Sequence, residues 1–111
     1  MEAKSVIHVV GTECPPGVEE KFDTWYSERQ VPHLLEFKKL KRVTRYRNLH
    51  PNRQYPKFLT IYEFDNRQDF EEYHDSPERT SSRDSWLKIQ EETGASDKWE
   101  VQYEVIKSWQ R

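Results

Sequence analysis

The strongest strand signal in the chain is the segment FLTIYEF, residues 58–64, in which β-branched and aromatic residues dominate. Tyr55 and Pro56 precede this segment, and the cap-forming residues Asp65 and Asn66 follow it, so both of its ends carry turn signals. A second β-branched segment, SVIHVVGT at residues 5–12, ends just before a Pro-rich turn. The two segments predict two strands of a sheet.

Helical and strand patterns alternate along the rest of the chain. Apolar residues at helical spacing predict a helix over residues 18–30, which Pro32 should end or kink. Residues 41–49 predict a strand, and a capping box of Asp65 with Gln68 predicts a short helix after residue 64. Ser76 and Pro77 begin another predicted helix, which Gly94 ends. Residues 98–109 alternate between apolar and polar side chains, which predicts a strand with one buried face.

The predicted order β-α-β-β-α-β is that of an α+β, ferredoxin-like fold, with helices on one face of an antiparallel four-stranded sheet. We predict one domain over residues 1–111, because this length does not supply two independent cores. The second sheet face is apolar, and the sequence offers no helix to cover it. A second copy of the chain is the simplest cover, and it predicts a homodimer.

The composition restricts the class of protein. Mean hydropathy is -1.14, which provides no membrane span, and the first residues lack the apolar region of a signal peptide, so we expect a cytoplasmic protein. One cysteine, Cys14, excludes an internal disulfide framework. Between Phe37 and Phe58 the chain has eight Lys or Arg residues and no acidic residue. This stretch indicates either an anionic partner or a solvated surface, and we favour the solvated surface.

Three segments resemble the dimeric α/β-barrel superfamily, especially its small EthD-like and uncharacterised members. The sequence WYSERQVPHLLE at residues 25–36 is similar to the superfamily's first helix, which often reads W-Y-x-E-E-H-x-P-x-L-L-E. The sequence YPKFLTIYEF at residues 55–64 resembles its third strand, and DFEEYHDSPE at residues 69–78 resembles its second helix. The resemblance implies a dimeric α/β barrel. Its members include cofactor-free monooxygenases, cyclases, isomerases, dehalogenating and haem-degrading enzymes, and transcription-factor modules.

Two positions depart from the superfamily pattern. The helix-1 histidine of the resembling proteins falls on Gln30, which is neither an acid nor a base, and His33 could substitute for it. The histidine that binds haem iron in the haem-degrading members falls in the region of Arg83. The sequence also lacks the histidine spacings of metal sites and a Gly-rich phosphate loop. We therefore expect neither a metal nor another cofactor.

Strand parity selects the candidate site residues, because alternate residues of a strand share a face. Ile7 and Val9 form an aliphatic set that suits packing beneath the helices. By this argument His8 and Tyr62 face the cavity side, where they would be neighbours on the two central strands. His8 is a candidate acid or base, because a histidine pKa lies near neutrality. A buried structural histidine is the alternative.

The other candidates are binding residues. Trp25 and Trp86 could stack on a planar ligand, although an apolar helix face also explains them. Arg45 could bind a carboxylate together with Arg47, although such residues are more often solvated. Gln30 could hydrogen-bond an oxygen on which negative charge develops.

The leading hypothesis is a cofactor-independent enzyme that acts on a small aromatic or enone-like molecule. Its chemistry would be proton transfer in an isomerase, lyase, cyclase or monooxygenase reaction, with His8 as the proton carrier and Tyr62 and Gln30 as hydrogen-bonding groups for the substrate oxygen. His33 is the alternative acid or base. A non-catalytic small-molecule-binding or regulatory module is the alternative. RNA binding shares the predicted order of elements, but nucleic acid is the less favoured partner because the pI is near 6.1.

Overall fold

The four strands form one antiparallel sheet in the order β2-β3-β1-β4. The computed structural model describes residues 4–50 and 54–111. Its strands are β1 (Val6–Glu13), β2 (Leu40–Arg47), β3 (Phe58–Phe64) and β4 (Ser96–Glu104). Its helices are α1 (Glu19–Trp25), α2 (Val31–Leu34), α3 (Arg67–His74) and α4 (Pro77–Thr93), with a π-helical turn at Tyr26–Gln30. The predicted α+β, ferredoxin-like class is confirmed.

The core is built from aromatic side chains between the helices and the sheet. Phe22 of α1 is fully buried, and its ring lies 5.7 Å from the ring of Phe58 and 6.1 Å from that of Trp86. Phe64 of β3 contacts Tyr73 of α3 with their ring centroids 5.1 Å apart. Because aromatic rings bury about 150–250 Å² each, a few of them compensate for the small number of aliphatic residues.

The helix after β1 contains a π-helical turn, and Pro32 does not end it. A proline inside a helix has no N–H to donate to the preceding turn, and its ring crowds the carbonyl four residues earlier. The π-helical turn Tyr26–Gln30 ends two residues before Pro32 and changes the hydrogen-bond spacing there, and the chain continues helically to Leu34. The helix is therefore irregular near the position that Pro32 predicts. The irregularity is a π-helical turn within a continuing helix and not the end of the helix.

The caps of the later helices agree with the sequence except at one position. Ser76 caps α4 through a hydrogen bond from Arg79 N to its hydroxyl, and Gly94 ends α4 with a positive φ of 76°. The predicted capping box of Asp65 with Gln68 is wrong. Asn66 is the N-cap of α3, and its side-chain oxygen accepts from Asp69 N at 2.8 Å.

Strand β4 begins earlier and ends earlier than the pattern of residues 98–109 predicts. Glu104 is paired with Val6, the first residue of β1, and the next backbone bond runs from Val105 N to Ser5 O at 2.9 Å. Strand β1 itself begins at Val6. The tail of β4 therefore leaves the sheet, and Ile106 and Trp109 are exposed.

The structure reverses the predicted face assignment on the two central strands. We call the sheet face beneath the helices the helix face and the opposite face the open face. His8 and Tyr62 lie on the helix face, where the His8 ring is 5.2 Å from that of Phe70 in α3. Ile7 and Ile61 lie on the open face and are only partly buried. On β3 the helix face carries the aromatic side chains Phe58, Tyr62 and Phe64, whose rings pack against aromatic rings of the helices.

Among the residues that the structure describes, no helix combines the length and the apolar character that crossing a bilayer requires.

Candidate functional site

A cavity of about 280 Å³ lies between the helix face of the sheet and helices α2, α3 and α4. Strands β1, β3 and β4 form its floor, and the π-helical turn forms part of its wall. Four of the residues selected from the sequence line this cavity, and these are His8, Gln30, Tyr62 and Trp86. The strand-parity argument assigned His8 and Tyr62 to the face without helices, whereas the structure has both on the helix face. Because the cavity also lies on the helix face, the two residues border it together.

His8 and Tyr62 are directly paired across β1 and β3, with their ring centroids 5.5 Å apart. The Gln102 side-chain amide donates a hydrogen bond of 2.9 Å to His8 Nδ1, which places the proton of the neutral ring on Nε2. Burial, together with the positive charges of Arg79 and His74, lowers the pKa of His8 to about 4. His8 is therefore neutral at pH 7, and no residue in the described part of the chain hydrogen-bonds its Nε2.

The hydroxyls of Tyr26 and Tyr62 hydrogen-bond each other inside the cavity. Burial raises the pKa of both tyrosines, and the negative charge of Asp97 raises them further. Both hydroxyls are consequently protonated near neutral pH and form a short hydrogen-bonding chain on the cavity wall.

Asp97 is a cavity residue that the sequence did not reveal. Its Oδ1 accepts a hydrogen bond of 3.1 Å from Thr12 Oγ1, and it lines the cavity with Glu100 of the same strand. Partial desolvation is the main cause that raises the pKa of Asp97 to about 6, and the nearby Glu100 adds to it, while Thr12 and Arg79 act in the opposite direction. A carboxylate with this pKa is an effective base near neutral pH.

A β-bulge directs Asp97 into the cavity. The pairing of β1 with β4 changes register between Gly11, which faces Trp99, and Thr12, which faces Asp97. Regular alternation would place Asp97 on the same side as Trp99, which is the open face. The extra residue, Lys98, turns Asp97 to the helix face instead. The alternation of side chains predicts a strand that begins at Lys98, so it does not identify Asp97 as a site residue.

Three of the sequence-predicted residues, Trp25, His33 and Arg45, lie outside the cavity and have structural partners. Trp25 packs behind Trp86 with ring centroids 5.9 Å apart, and its Nε1 donates to Ser85 Oγ at 3.2 Å. His33 joins α2 to α4, because its Nε2 lies 2.8 Å from Ser81 Oγ and 3.0 Å from the Glu78 carbonyl oxygen. Its Nδ1 lies 3.1 Å from a carboxylate oxygen of Glu36.

Arg45 is also used within the chain. Its guanidinium pairs with Asp23 and donates to Ser27 Oγ at 3.1 Å. It also lies over the ring of Tyr26, 4.4 Å from the centroid, and over that of Phe58 at 5.4 Å. Arg45 therefore supports the residue that carries one of the two cavity hydroxyls, and it does not line the cavity itself.

The basic stretch of residues 38–57 is largely neutralised by acidic residues elsewhere in the chain. Ion pairs join five of its members to carboxylates, namely Lys39 to Glu72 and Asp69, Lys41 to Asp65, Arg42 to Glu63, Arg45 to Asp23, and Lys57 to Glu13 and Glu19. Arg53 lies outside the described residues. This pairing supports the interpretation of a solvated surface.

Among the described residues, no helix covers the open face. Its centre is aliphatic, with Ile7 and Val9 from β1 and Leu59 and Ile61 from β3, whereas its aromatic side chains lie on the outer strands. Those aromatic residues are exposed, and they are Tyr46, Trp99 and Tyr103. RNA-recognition motifs stack bases on aromatic residues of the sheet, for which this aliphatic centre is unsuited.

Metal ligands do not cluster in the described part of the chain, where no group of three or more His, Cys, Asp or Glu residues could hold an ion. The polar groups of the cavity instead provide hydrogen-bond donors and a carboxylate. This arrangement can bind an oxygen of a small molecule and accept a proton from it.

Comparisons with other proteins place the chain among ferredoxin-like proteins. The model of a domain of unknown function, DUF4286, matches residues 5–92. A comparison with curated protein sequences gives no significant match.

Similar solved structures include a Dabb family protein with a ferredoxin-like fold from Mesorhizobium loti, with 14% identity, a TM-score of 0.68, and coverage of 96% of this chain and 99% of that chain. A dimeric ferredoxin-like protein of unknown function from Bacteroides fragilis has 23% identity, a TM-score of 0.58, and coverage of 91% and 96%. An EthD family protein from Bacillus halodurans has 11% identity, a TM-score of 0.61, and coverage of 95% and 99%. The resemblance to EthD-like proteins is thus confirmed at the level of the fold.

Proposed function

The chain belongs to the DUF4286 family, and we propose that it is a cofactor-independent enzyme that moves a proton on a small aromatic or enone-like molecule. The observation that carries this proposal is that a carboxylate of raised pKa, Asp97, lines the same cavity as the hydrogen-bonded hydroxyls of Tyr26 and Tyr62. A base and an oxygen-binding pair in one enclosed space are the two requirements for removing a proton next to a carbonyl group.

The proposed first step is proton abstraction by Asp97. The carboxylate takes a proton from the carbon beside a carbonyl, and the electron pair of the broken C–H bond moves onto the carbonyl oxygen to give an enolate. Asp97 then returns the same proton to a different carbon, which completes an isomerisation. The same enolate can instead expel a leaving group or attack a second carbonyl, which are the lyase and cyclase outcomes.

The tyrosine pair stabilises the enolate oxygen. When Tyr26 donates to Tyr62, the hydroxyl proton of Tyr62 remains to donate to the ligand. Both tyrosines keep their protons at neutral pH, so they act as donors. A positioned donor of this kind typically contributes about 10²–10³-fold in rate.

His8 and Gln30 complete the polar lining in this proposal. Since the pKa of His8 is about 4, the residue is a neutral Nε2–H donor near pH 7, and Asp97 is the better proton acceptor. Trp86 supplies the flat apolar surface against which an aromatic ring or an enone packs. The cavity volume of about 280 Å³ suits a molecule with one ring.

A second copy of the chain is the proposed cover for the open face. Aliphatic side chains at its centre and the exposed Trp99 and Tyr103 make a contiguous apolar surface, which a soluble monomer rarely exposes. The structurally similar Bacteroides fragilis protein is described as dimeric, which supports the same arrangement here. We therefore propose a homodimer whose two sheets pack through their open faces.

The test is hydrogen exchange between solvent deuterium and a panel of small aryl ketones and enones, beginning with phenylacetone and followed by NMR. We expect the protein to accelerate exchange beside the carbonyl and Asp97→Asn to lower that rate by about 10²–10⁴-fold. Asp84→Asn, on an exposed carboxylate of α4, is the matched control and should keep the rate. Saturable binding without accelerated exchange would instead support the non-catalytic binding module.

A further inference from the structure

Two arginines of α4 enter the cavity one helical turn apart, and neither has a carboxylate partner among the described residues. Arg79 and Arg83 both line the cavity, and the spacing of four residues places them on one side of the helix. The hydrogen bond observed for Arg79 is a long one of 3.4 Å to the His74 carbonyl oxygen. Lys57 shows the contrast, because its Nζ lies 2.9 Å from a carboxylate oxygen of Glu19, which neutralises its charge.

The charge of Arg79 acts inside the cavity. Burial is the main cause of the pKa shifts of His8 on β1, Tyr73 on α3 and Asp97 on β4, and the positive charge of Arg79 acts to lower the pKa in each case. These residues belong to three different walls, so the guanidinium lies close enough to influence each wall without being neutralised by any of them. An unneutralised guanidinium beside a partly enclosed space is a binding group for an anion.

The carboxylates of the cavity lie on the opposite wall. Asp97 and Glu100 belong to β4, and neither forms an ion pair with Arg79 or Arg83 within 4.0 Å. The arginines therefore line the cavity from α4 and the carboxylates line it from β4. A bound anion is attracted by the α4 wall and repelled by the β4 wall, which gives the ligand one preferred direction.

We propose that Arg79 and Arg83 form a subsite for a planar carboxylate, and that the ligand is a small aromatic or enone-like acid. This inference rests on the proposed function, because it uses the same cavity and substrate class. The carboxylate lies against α4, where the two guanidiniums can donate paired N–H bonds to its oxygens. The ring then lies against Trp86, and the reacting carbon is directed toward Asp97 on the other wall.

Isothermal titration with matched pairs of acids and amides tests the inference without requiring turnover. The pairs are 4-hydroxyphenylacetate with 4-hydroxyphenylacetamide, benzoate with benzamide, and cinnamate with cinnamamide. We expect at least one acid to bind about tenfold or more tightly than its amide, because each charge-assisted hydrogen bond is stronger than a neutral one. Arg83→Gln and Arg79→Gln should reduce this preference to nearly one without weakening binding of the amide.

The control is Arg67→Gln, which removes the same charge from an exposed position at the start of α3, outside the cavity. It should leave the preference unchanged. Three results would overturn the inference. They are equal binding of acid and amide in all pairs, a loss of acid preference in Arg67→Gln as large as in the cavity variants, or no binding of any probe at millimolar concentration. The two proposals can fail independently. An acid preference without accelerated deuterium exchange refutes the proposed enzyme and supports the carboxylate subsite. Accelerated exchange without an acid preference supports the enzyme and refutes the subsite.

Discussion

Thr12 and Asp97 are opposite each other across β1 and β4 only because the pairing of the two strands shifts by one residue. The Thr12 hydroxyl donates to Asp97 Oδ1 at 3.1 Å and holds the carboxylate on the cavity side of the sheet. The bulge therefore converts a residue of the open face into a cavity residue, and bulges commonly redirect side chains in this way.

Thr12→Val should raise the pKa of Asp97 above its value of about 6, because the hydrogen bond from Thr12 favours the charged carboxylate. The pKa can be measured by NMR titration of the Asp97 carboxyl carbon. Thr24→Val, on an exposed surface of α1, is the control and should leave it unchanged. A pKa that stays near 6 in Thr12→Val would show that the hydroxyl does not support the carboxylate.

The tyrosine pair predicts a loss of stability when either hydroxyl is removed. Tyr26→Phe and Tyr62→Phe each leave the remaining buried hydroxyl without its partner. Urea denaturation should give a cost of about 1–3 kcal/mol for each single variant. The double variant should cost less than the sum of the two. Strict additivity at equal protomer concentration would contradict a direct bond between the two hydroxyls.

His8 and Asp97 should give opposite pH dependences of the free energy of unfolding. The pKa of His8 is about 4 in the folded chain and 6.5 as its ordinary value, so its contribution is present above pH 6.5 and lost as the pH falls toward 4. The full loss is up to about 3 kcal/mol. Asp97 has a folded pKa of about 6 against 3.8, so stability improves as the pH falls through that window.

The two effects overlap, so single variants should separate them. Between pH 7.5 and pH 4.5 we expect His8→Asn to lose less stability than the unchanged protein and Asp97→Asn to lose more. Urea denaturation at both pH values and at one protomer concentration measures this. Identical pH dependence in all three proteins would falsify the assigned pKa directions.

The open face predicts a homodimer that a buried charge disrupts. Light scattering at micromolar concentration should give about twice 13.6 kDa for the unchanged chain. Ile61→Lys, at the centre of that face, should shift the mass toward one chain, because an unpaired ammonium in an apolar interface is costly. Thr24→Lys on α1 adds the same charge elsewhere and should remain dimeric. A monomer in the unchanged protein would leave the apolar face without an explanation.

His33 should support the contact between α2 and α4 and take no part in proton transfer. His33→Gln removes its bonds to Ser81 and Glu36, so a modest loss in thermal stability is expected, of about 1 kcal/mol. The deuterium-exchange rate per folded protein should change less than twofold. A loss of 10²-fold or more at unchanged folding would return the acid–base role to His33.

Local patterns were sufficient for most of the fold. The alternating residues of β3, the cap at Ser76 and the stop at Gly94 each depend on short-range physics, and the structure has all three where the sequence predicts them. Pattern reading erred where one residue's partner lies far along the chain. Strand β4 ends at Glu104, opposite Val6, which is the first residue of β1, and the alternation of β4 cannot reveal this limit.

The sequence by itself determined the order of the elements, the pairing of the two central strands and the proximity of His8 to Tyr62, because these follow from strand period and from the known order of a ferredoxin-like sheet. Only the tertiary structure decided which face these two residues occupy, since a period of two gives two faces without saying which one the helices cover. It alone decided that Asp97 enters the cavity, because a bulge is a relation between two strands and leaves no periodic mark in either one.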